Sequence, residues 1–100
     1  MSTMTKTTII TWAPNQIDIA PEVLQPFADC CTAEIQRLIT AGKTSGQGSI
    51  DNLSDGSREV RRQWVDQESA QAWLDFVLST VKEIFGPEKC YQSGVIEDIV

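Results

Sequence analysis

Three groups of residues in this 100-residue chain have types suited to chemistry: the cysteines Cys30, Cys31 and Cys90, the arginines Arg58, Arg61 and Arg62, and the tryptophans Trp12, Trp64 and Trp73. A thiol acts as nucleophile or metal ligand only as the thiolate, which needs a base or cation beside it. The chain contains no histidine, the commonest metal ligand and a frequent thiol activator. Adjacent Cys30-Cys31 also fits no zinc spacing. The cysteines therefore read as small core or bystander residues, and no metal is expected.

The arginines form the chain's basic cluster. Side chains alternate across a strand, so Arg61 and Arg62 point to opposite faces and cannot build one site from a single chain. Read plainly, they are solvated or salt-bridged. The functional reading puts Arg62 on the same face as Trp64, where a guanidinium binds an anionic group in a cleft. Trp12 and Trp64 end neighbouring strands, either as core or as walls of a pocket for a planar ligand. Trp73 lies mid-stripe on a helix and reads as core. The candidate ligand-binding residues are thus Trp12, Arg62 and Trp64, and no catalytic residue is identified.

Carboxylates are plentiful without forming an acid/base pair. Glu34 sits at the edge of an apolar helical stripe, where burial would raise its pKa, or where the side chain snorkels to water. Glu97 and Asp98 read as a solvated acidic end. No P-loop, dinucleotide fingerprint, nucleophile elbow or zinc motif is present, so no cofactor is expected.

The net charge is −6. A phosphate-tracking protein needs a basic surface, so nucleic acid is not an expected partner. An anionic membrane surface is disfavoured for the same reason. No apolar run approaches the roughly 18 residues of a membrane span. The opening MSTMTK has no apolar stretch, so no signal peptide is expected. An odd cysteine count without such a signal points to a reducing cytosol and a cytoplasmic location.

The elements that position these residues follow from periodicity. Lys6–Trp12 is β-branched and reads as a strand ended by Pro14-Asn15. Gln16–Gln25 reads as a connector. A helix beginning near Pro21, and securely from Pro26, carries the stripe Phe27, Cys31, Ile35, Leu38 and Ile39 and ends at Gly42. Thr44–Gly48 reads as a loop and Ser49–Leu53 as a weak strand. Asp55-Gly56 is a hairpin turn signal. Arg58–Val65 is the third strand, with Val60, Arg62 and Trp64 on one face. Asp66 caps a helix whose apolar face runs from Ala70 to Phe85, and Gly86-Pro87 stops it. Tyr91–Val100 is the fourth strand.

The order strand, helix, strand, strand, helix, strand predicts an α+β, ferredoxin-like βαββαβ sandwich. It has a four-stranded antiparallel sheet in the order 4-1-3-2, with two helices on one face. One domain spans residues 1–100, with residues 1–5 expected as a disordered tail. Two helices cover one sheet face only, and the open face looks mixed. A homodimer packed sheet to sheet is therefore expected.

The junction Trp64-Val65-Asp66-Gln67-Glu68-Ser69-Ala70, followed by Trp73, resembles the W-x-D-x-x-x-A junction often seen in antibiotic-biosynthesis-monooxygenase-like proteins of the dimeric α+β barrel superfamily. The resemblance covers the whole chain as a pattern of elements and about ten residues as a motif. It implies a small apolar or anionic ligand and a cofactor-independent, monooxygenase-like activity. The chain departs from that family in having no histidine in or after the second helix. Such chemistry would have to rest on Trp, Asn and Arg. The alternative from another class is a non-enzymatic interaction or assembly module whose acidic surface docks a basic partner.

Overall fold

A computed structural model of the chain describes residues 3–86, 91 and 93–99. Cys90 and Pro87 lie outside them, as do Met1 and Ser2 of the expected tail and Gln92 and Val100 of the expected last strand. The elements are β1 (Lys6–Trp12), α1 (Pro14–Ile17), α2 (Pro21–Thr40), β2 (Thr44–Asn52), β3 (Arg58–Trp64), α3 (Gln67–Ile84) and β4 (Ser93–Asp98). The protein is α+β, as expected, with an antiparallel sheet. Among the described residues the strand order is β2-β3-β1-β4. The described residues hold three helices rather than two, because the turn after β1 closes into the short α1, where the Ala13 N–H donates to Gln16 Oε1 at 2.7 Å.

The strand registers sort side chains to the two sheet faces. Thr8 opposes Arg62 and Ile96, and Ile10 opposes Val60 and Gly94. These residues, with Trp12 and Trp64, lie on the helix-covered face. The other face carries Thr7, Ile9, Thr11, Glu59, Arg61, Gln63, Val95 and Glu97. That face is more polar than the expectation of a mixed surface. Ile9 is buried within the chain itself, and Val95 is its large apolar side chain in contact with water.

α3 forms as the sequence predicts. The Asp66 side chain caps it by accepting the Ser69 N–H at 2.8 Å. Its buried residues Ala70, Trp73, Leu74, Val77 and Val81 repeat at helical spacing and cover β1 and β3. Trp64 is 0% exposed beneath them. Its ring lies 5.5 Å from that of Trp73. Its Nε1–H donates to Thr8 Oγ1 at 2.9 Å, and the Thr8 hydroxyl donates in turn to the Arg62 carbonyl at 3.3 Å.

α2 begins at Pro21, the earlier of the two starts read from the sequence: a proline at the first helical position has its φ already set, and Pro26 is carried inside the helix by packing of Phe27 and Ile35. The Asp55-Gly56 turn joins β2 to β3 as expected, with Gly56 at positive φ, 91°, and the Asp55 carboxylate accepting the Ser57 N–H at 2.9 Å. Two local expectations are corrected. Thr44–Gly48 is strand, not loop. The pairs Thr44↔Trp64 and Gly48↔Arg62 extend β2, with an irregularity between them that absorbs the small polar residues. Thr5 is not frayed, since its N–H donates to the Trp64 carbonyl at 2.8 Å and its carbonyl accepts the Ile99 N–H at 2.9 Å.

Two tests follow from these contacts. Replacing Thr8 by Val leaves the buried Trp64 Nε1–H without an acceptor and should cost about 1–3 kcal/mol in urea unfolding. Thr8→Ser keeps the hydroxyl and should recover most of that loss. The Ser69 backbone N–H holds the Asp66 carboxyl below its ordinary value. A depressed carboxyl contributes stability that is present above its unfolded pKa and lost as pH falls through its folded pKa. Asp66→Asn should therefore match wild type more closely as the pH drops through the carboxylate range. Asp66→Ala should lower the melting temperature at neutral pH by several degrees.

Candidate functional site

The helix-covered side of the sheet is not evenly filled. α3 packs tightly over β1 and the Trp64 end of β3. α2 lies over β2 and the middle of β3 and leaves a cleft there. One lobe, of about 320 Å³, is lined by Ile10, Trp12, Phe27, Cys31, Ile35, Ile50, Val60, Arg62, Trp73 and Val77, with Thr32 and Gln36 at its rim. A second lobe, of about 280 Å³, is lined by Trp12, Leu24, Phe27, Ala28, Ile50, Val60 and Phe85, with Arg58, Gln16 and Ile19. The lobes share Trp12, Phe27, Ile50 and Val60, so they adjoin as one trough. This volume is in the range of small-molecule sites, which are mostly apolar with a few placed polar groups.

The far wall is aromatic. Trp12 meets Phe27 edge-on with ring centres 6.2 Å apart, and Tyr91 edge-on at 5.7 Å. Phe27 reaches Phe85 at 5.5 Å. These contacts prop α2 away from the sheet and hold the trough open at that end. On the edge strand, Ile50 is 65% exposed at the mouth.

Arg62 supplies the polar group. It is half-buried, and its Nη1 is buried with no hydrogen-bond partner among the described residues. Nor is it ion-paired there: the acidic groups that pair do so elsewhere, Glu34 with Arg37, Glu59 with Arg61, and Asp98 with Lys6. Burial pulls the Arg62 pKa down, and the neighbouring Cys31 opposes this. The group remains a cation at neutral pH, as arginine does in proteins. Its seat depends on Gly48 opposite. A Cβ at that position would lie 2.9 Å from the Arg61 carbonyl oxygen and 3.3 Å from Arg62 Nη2. The glycine therefore lets the guanidinium lie against β2.

Of the three residues expected to bind a ligand, the trough brings together two, Trp12 and Arg62. Trp64 lies on the same sheet face but is sealed beneath α3 and lines neither lobe. Its alternation with Arg62 is legible in sequence; the helix that covers one and not the other is not. Arg61 is on the opposite face, paired with Glu59 at 2.6 Å, as the strand period predicts. Sequence reasoning missed Phe27, Ile50 and Val60 as trough residues, since each reads equally well as ordinary core. Of the two readings of Glu34, the buried one with a raised pKa is not met. Glu34 accepts from Arg37 Nε and Nη2, both at 2.8 Å, and this pair pulls its carboxyl down.

Cys31 faces the trough, and burial, reinforced by Cys30, pushes its thiol up to about 11. Arg62 lowers it without reversing that direction. The thiol is therefore protonated at neutral pH and is not a nucleophile there. Cys30 is exposed and free. Among the described residues no group of three or more His, Cys, Asp and Glu side chains could hold a metal ion. Among the described residues no helix is long and apolar enough to cross a membrane. Peptide mapping after iodoacetamide treatment should show Cys31 labelled far more slowly than Cys30 at neutral pH. The Cys31 rate should climb about tenfold per pH unit toward 11.

Compared with protein-family models, curated proteins and solved structures, the chain matches none.

Proposed function

We propose that this chain is a small-molecule-binding protein of ferredoxin-like, dimeric α+β barrel type, acting in the cytoplasm, with its ligand held between α2 and the sheet. The observation that carries this reading is the Arg62 guanidinium, with a buried and unpartnered Nη1, set in an otherwise apolar trough. A core that needed only to be stable gains nothing from such a group, since an unpaired buried donor costs about 1–3 kcal/mol. Polar groups of this kind persist where they recognise something.

The trough supports binding more directly than proton-transfer chemistry. Its two ionisable lining groups in the larger lobe, Cys31 and Arg62, both carry their protons at neutral pH. A monooxygenase-like reaction there would need the apolar walls to exclude water while the substrate itself supplied the reactive carbon. The trough is formed within one chain, so binding needs no second copy. Self-association through the open sheet face would rest mainly on Val95 and Ile99, which are 47% and 37% exposed.

N-phenylnaphthylamine, a neutral apolar fluorophore that brightens in dry sites, tests the reading. It should bind wild type at one equivalent per chain. Thr32→Trp, which fills the rim from an exposed helical position, should weaken binding at least tenfold, about 1.4 kcal/mol. Failure of the dye to bind wild type would remove the proposal.

A further inference from the structure

Resting on the reading that the trough binds a small molecule, the geometry points to its ligand class: a monocarboxylate with an apolar tail, its carboxylate on Arg62 and its tail along Val60 and Ile50 toward Trp12 and Phe27. Four observations converge on this.

The first is an unsatisfied buried donor at one end only. Arg62 lines the lobe beneath the middle of α2 and not the lobe that ends at Leu24 and Phe85. The second lobe does contain a cation, Arg58, but its Nε is satisfied by Asn52 Oδ1 at 3.2 Å, whereas Arg62 Nη1 is buried with no partner among the described residues. A ligand with its acceptor group at one end and an apolar remainder matches this asymmetry.

The second is sign and stoichiometry. An arginine fork presents paired N–H donors that fit the two oxygens of a carboxylate. The unpartnered Nη1 is one such donor. No carboxylate among the described residues is ion-paired with Arg62. One guanidinium neutralises one negative charge. A dianionic phosphate held at Arg62 would leave its second charge unbalanced there, because the trough's other arginine, Arg58, lies four residues away along the strand.

The third is length. Arg62 and Arg58 are four residues apart on one strand face, about 13 Å at 3.3 Å per residue. Val60 and its register partner Ile50 lie between them, and Trp12 stands level with Arg58 at the far end. An extended octanoate, with C–C bonds of about 1.5 Å, spans about 9 Å and fits this distance. The fourth is exposure at the mouth. Ile50, 65% exposed, is the side chain that an apolar tail would cover.

Titration calorimetry with three probes of one tail length, octanoate, octanol and octylamine, and with acetate as a tailless acid, decides the matter on the full chain. Octanoate should bind at least tenfold more tightly than octanol. Octylamine and acetate should bind more weakly than either, the first repelled by the guanidinium and the second lacking a tail. In Arg62→Met the preference for octanoate over octanol should vanish while octanol binding persists. Replacing a buried charge by an apolar side chain of similar length is often neutral or stabilising, so this variant should fold. In Arg62→Lys, which keeps the charge but loses the fork, the preference should shrink without disappearing. If octanol binds as tightly as octanoate and Arg62→Met changes neither, the trough binds apolar molecules but the carboxylate assignment is overturned. If no probe with a tail binds wild type and N-phenylnaphthylamine also fails, the binding reading itself is overturned.

Discussion

The fold depends on how one indole is buried. Trp64 is 0% exposed at the end of β3, and a ring of that size carrying a polar N–H must find an acceptor in the core. Thr8 on the neighbouring strand provides it at 2.9 Å. That bond ties β1 to β3 across their shared register, and the ring gives α3 the surface on which Trp73 packs at 5.5 Å. The junction after Trp64 is correspondingly short. Val65 donates its N–H to the Lys43 carbonyl at 2.9 Å, and Asp66 begins the helix cap at once. The chain thus turns from strand into helix within two residues, which sets α3 down directly over the strand it has just left.

The same strand explains the trough. Val60, Arg62 and Trp64 alternate onto one face because the side-chain period of a strand is two residues. Once Trp64 sits under α3, Arg62 must fall on the same side of the sheet, in the layer between sheet and helices. α3 reaches the Arg62 lobe only with Trp73 and Val77, the rest of its buried face being occupied by Trp64 and β1. α2 is left to cover it, but Trp12, Phe27 and Phe85 hold α2 off at one end by ring contacts of 5.5 to 6.2 Å. Close packing would normally close such a gap. Here the aromatic props and the guanidinium share the space, and Gly48 removes the one side chain that would press the guanidinium out. The void and its buried guanidinium therefore have one structural cause: a strand that delivers a large core anchor and a cation to the same face, two residues apart.

Some of this was legible in the residues. β1, β3 and α3 each carry a strong period with matching end signals, and local preference agrees with tertiary packing in all three. β2 was legible only in its second half. Its first half, Thr44–Gly48, has poor strand propensity and is held by pairing with Trp64 and Arg62, a partner that propensity cannot see. The start of α2 is legible only as two candidates, Pro21 and Pro26: a proline inside a helix reads as a boundary, yet Pro26 is tolerated within a helix that begins at Pro21. For the candidate site, alternation identified Arg62 and separated it from Arg61, and strand position identified Trp12. Trp64 shared every sequence feature with these two. What distinguishes it is which helix lies overhead, a long-range fact that neither period nor composition encodes.

An acidic chain with a cation in its cleft sets two electrostatic ranges against each other. A net charge of −6 repels an incoming anion at distance, and that repulsion is screened within about 10 Å at 0.1 M salt. The interaction at Arg62 is different in kind. Its Nη1 is buried, and within a low-dielectric site a charge pair is screened far less and is worth more than at the surface. The balance therefore works against small hydrophilic anions, which meet the surface repulsion and gain little apolar contact. It favours an anion with a tail, whose apolar burial at roughly 25 cal/mol per Å² can outweigh the long-range term. In the proposed binding role, the chain's acidity would act at the trough as a filter, leaving the guanidinium to select among molecules that the apolar walls admit.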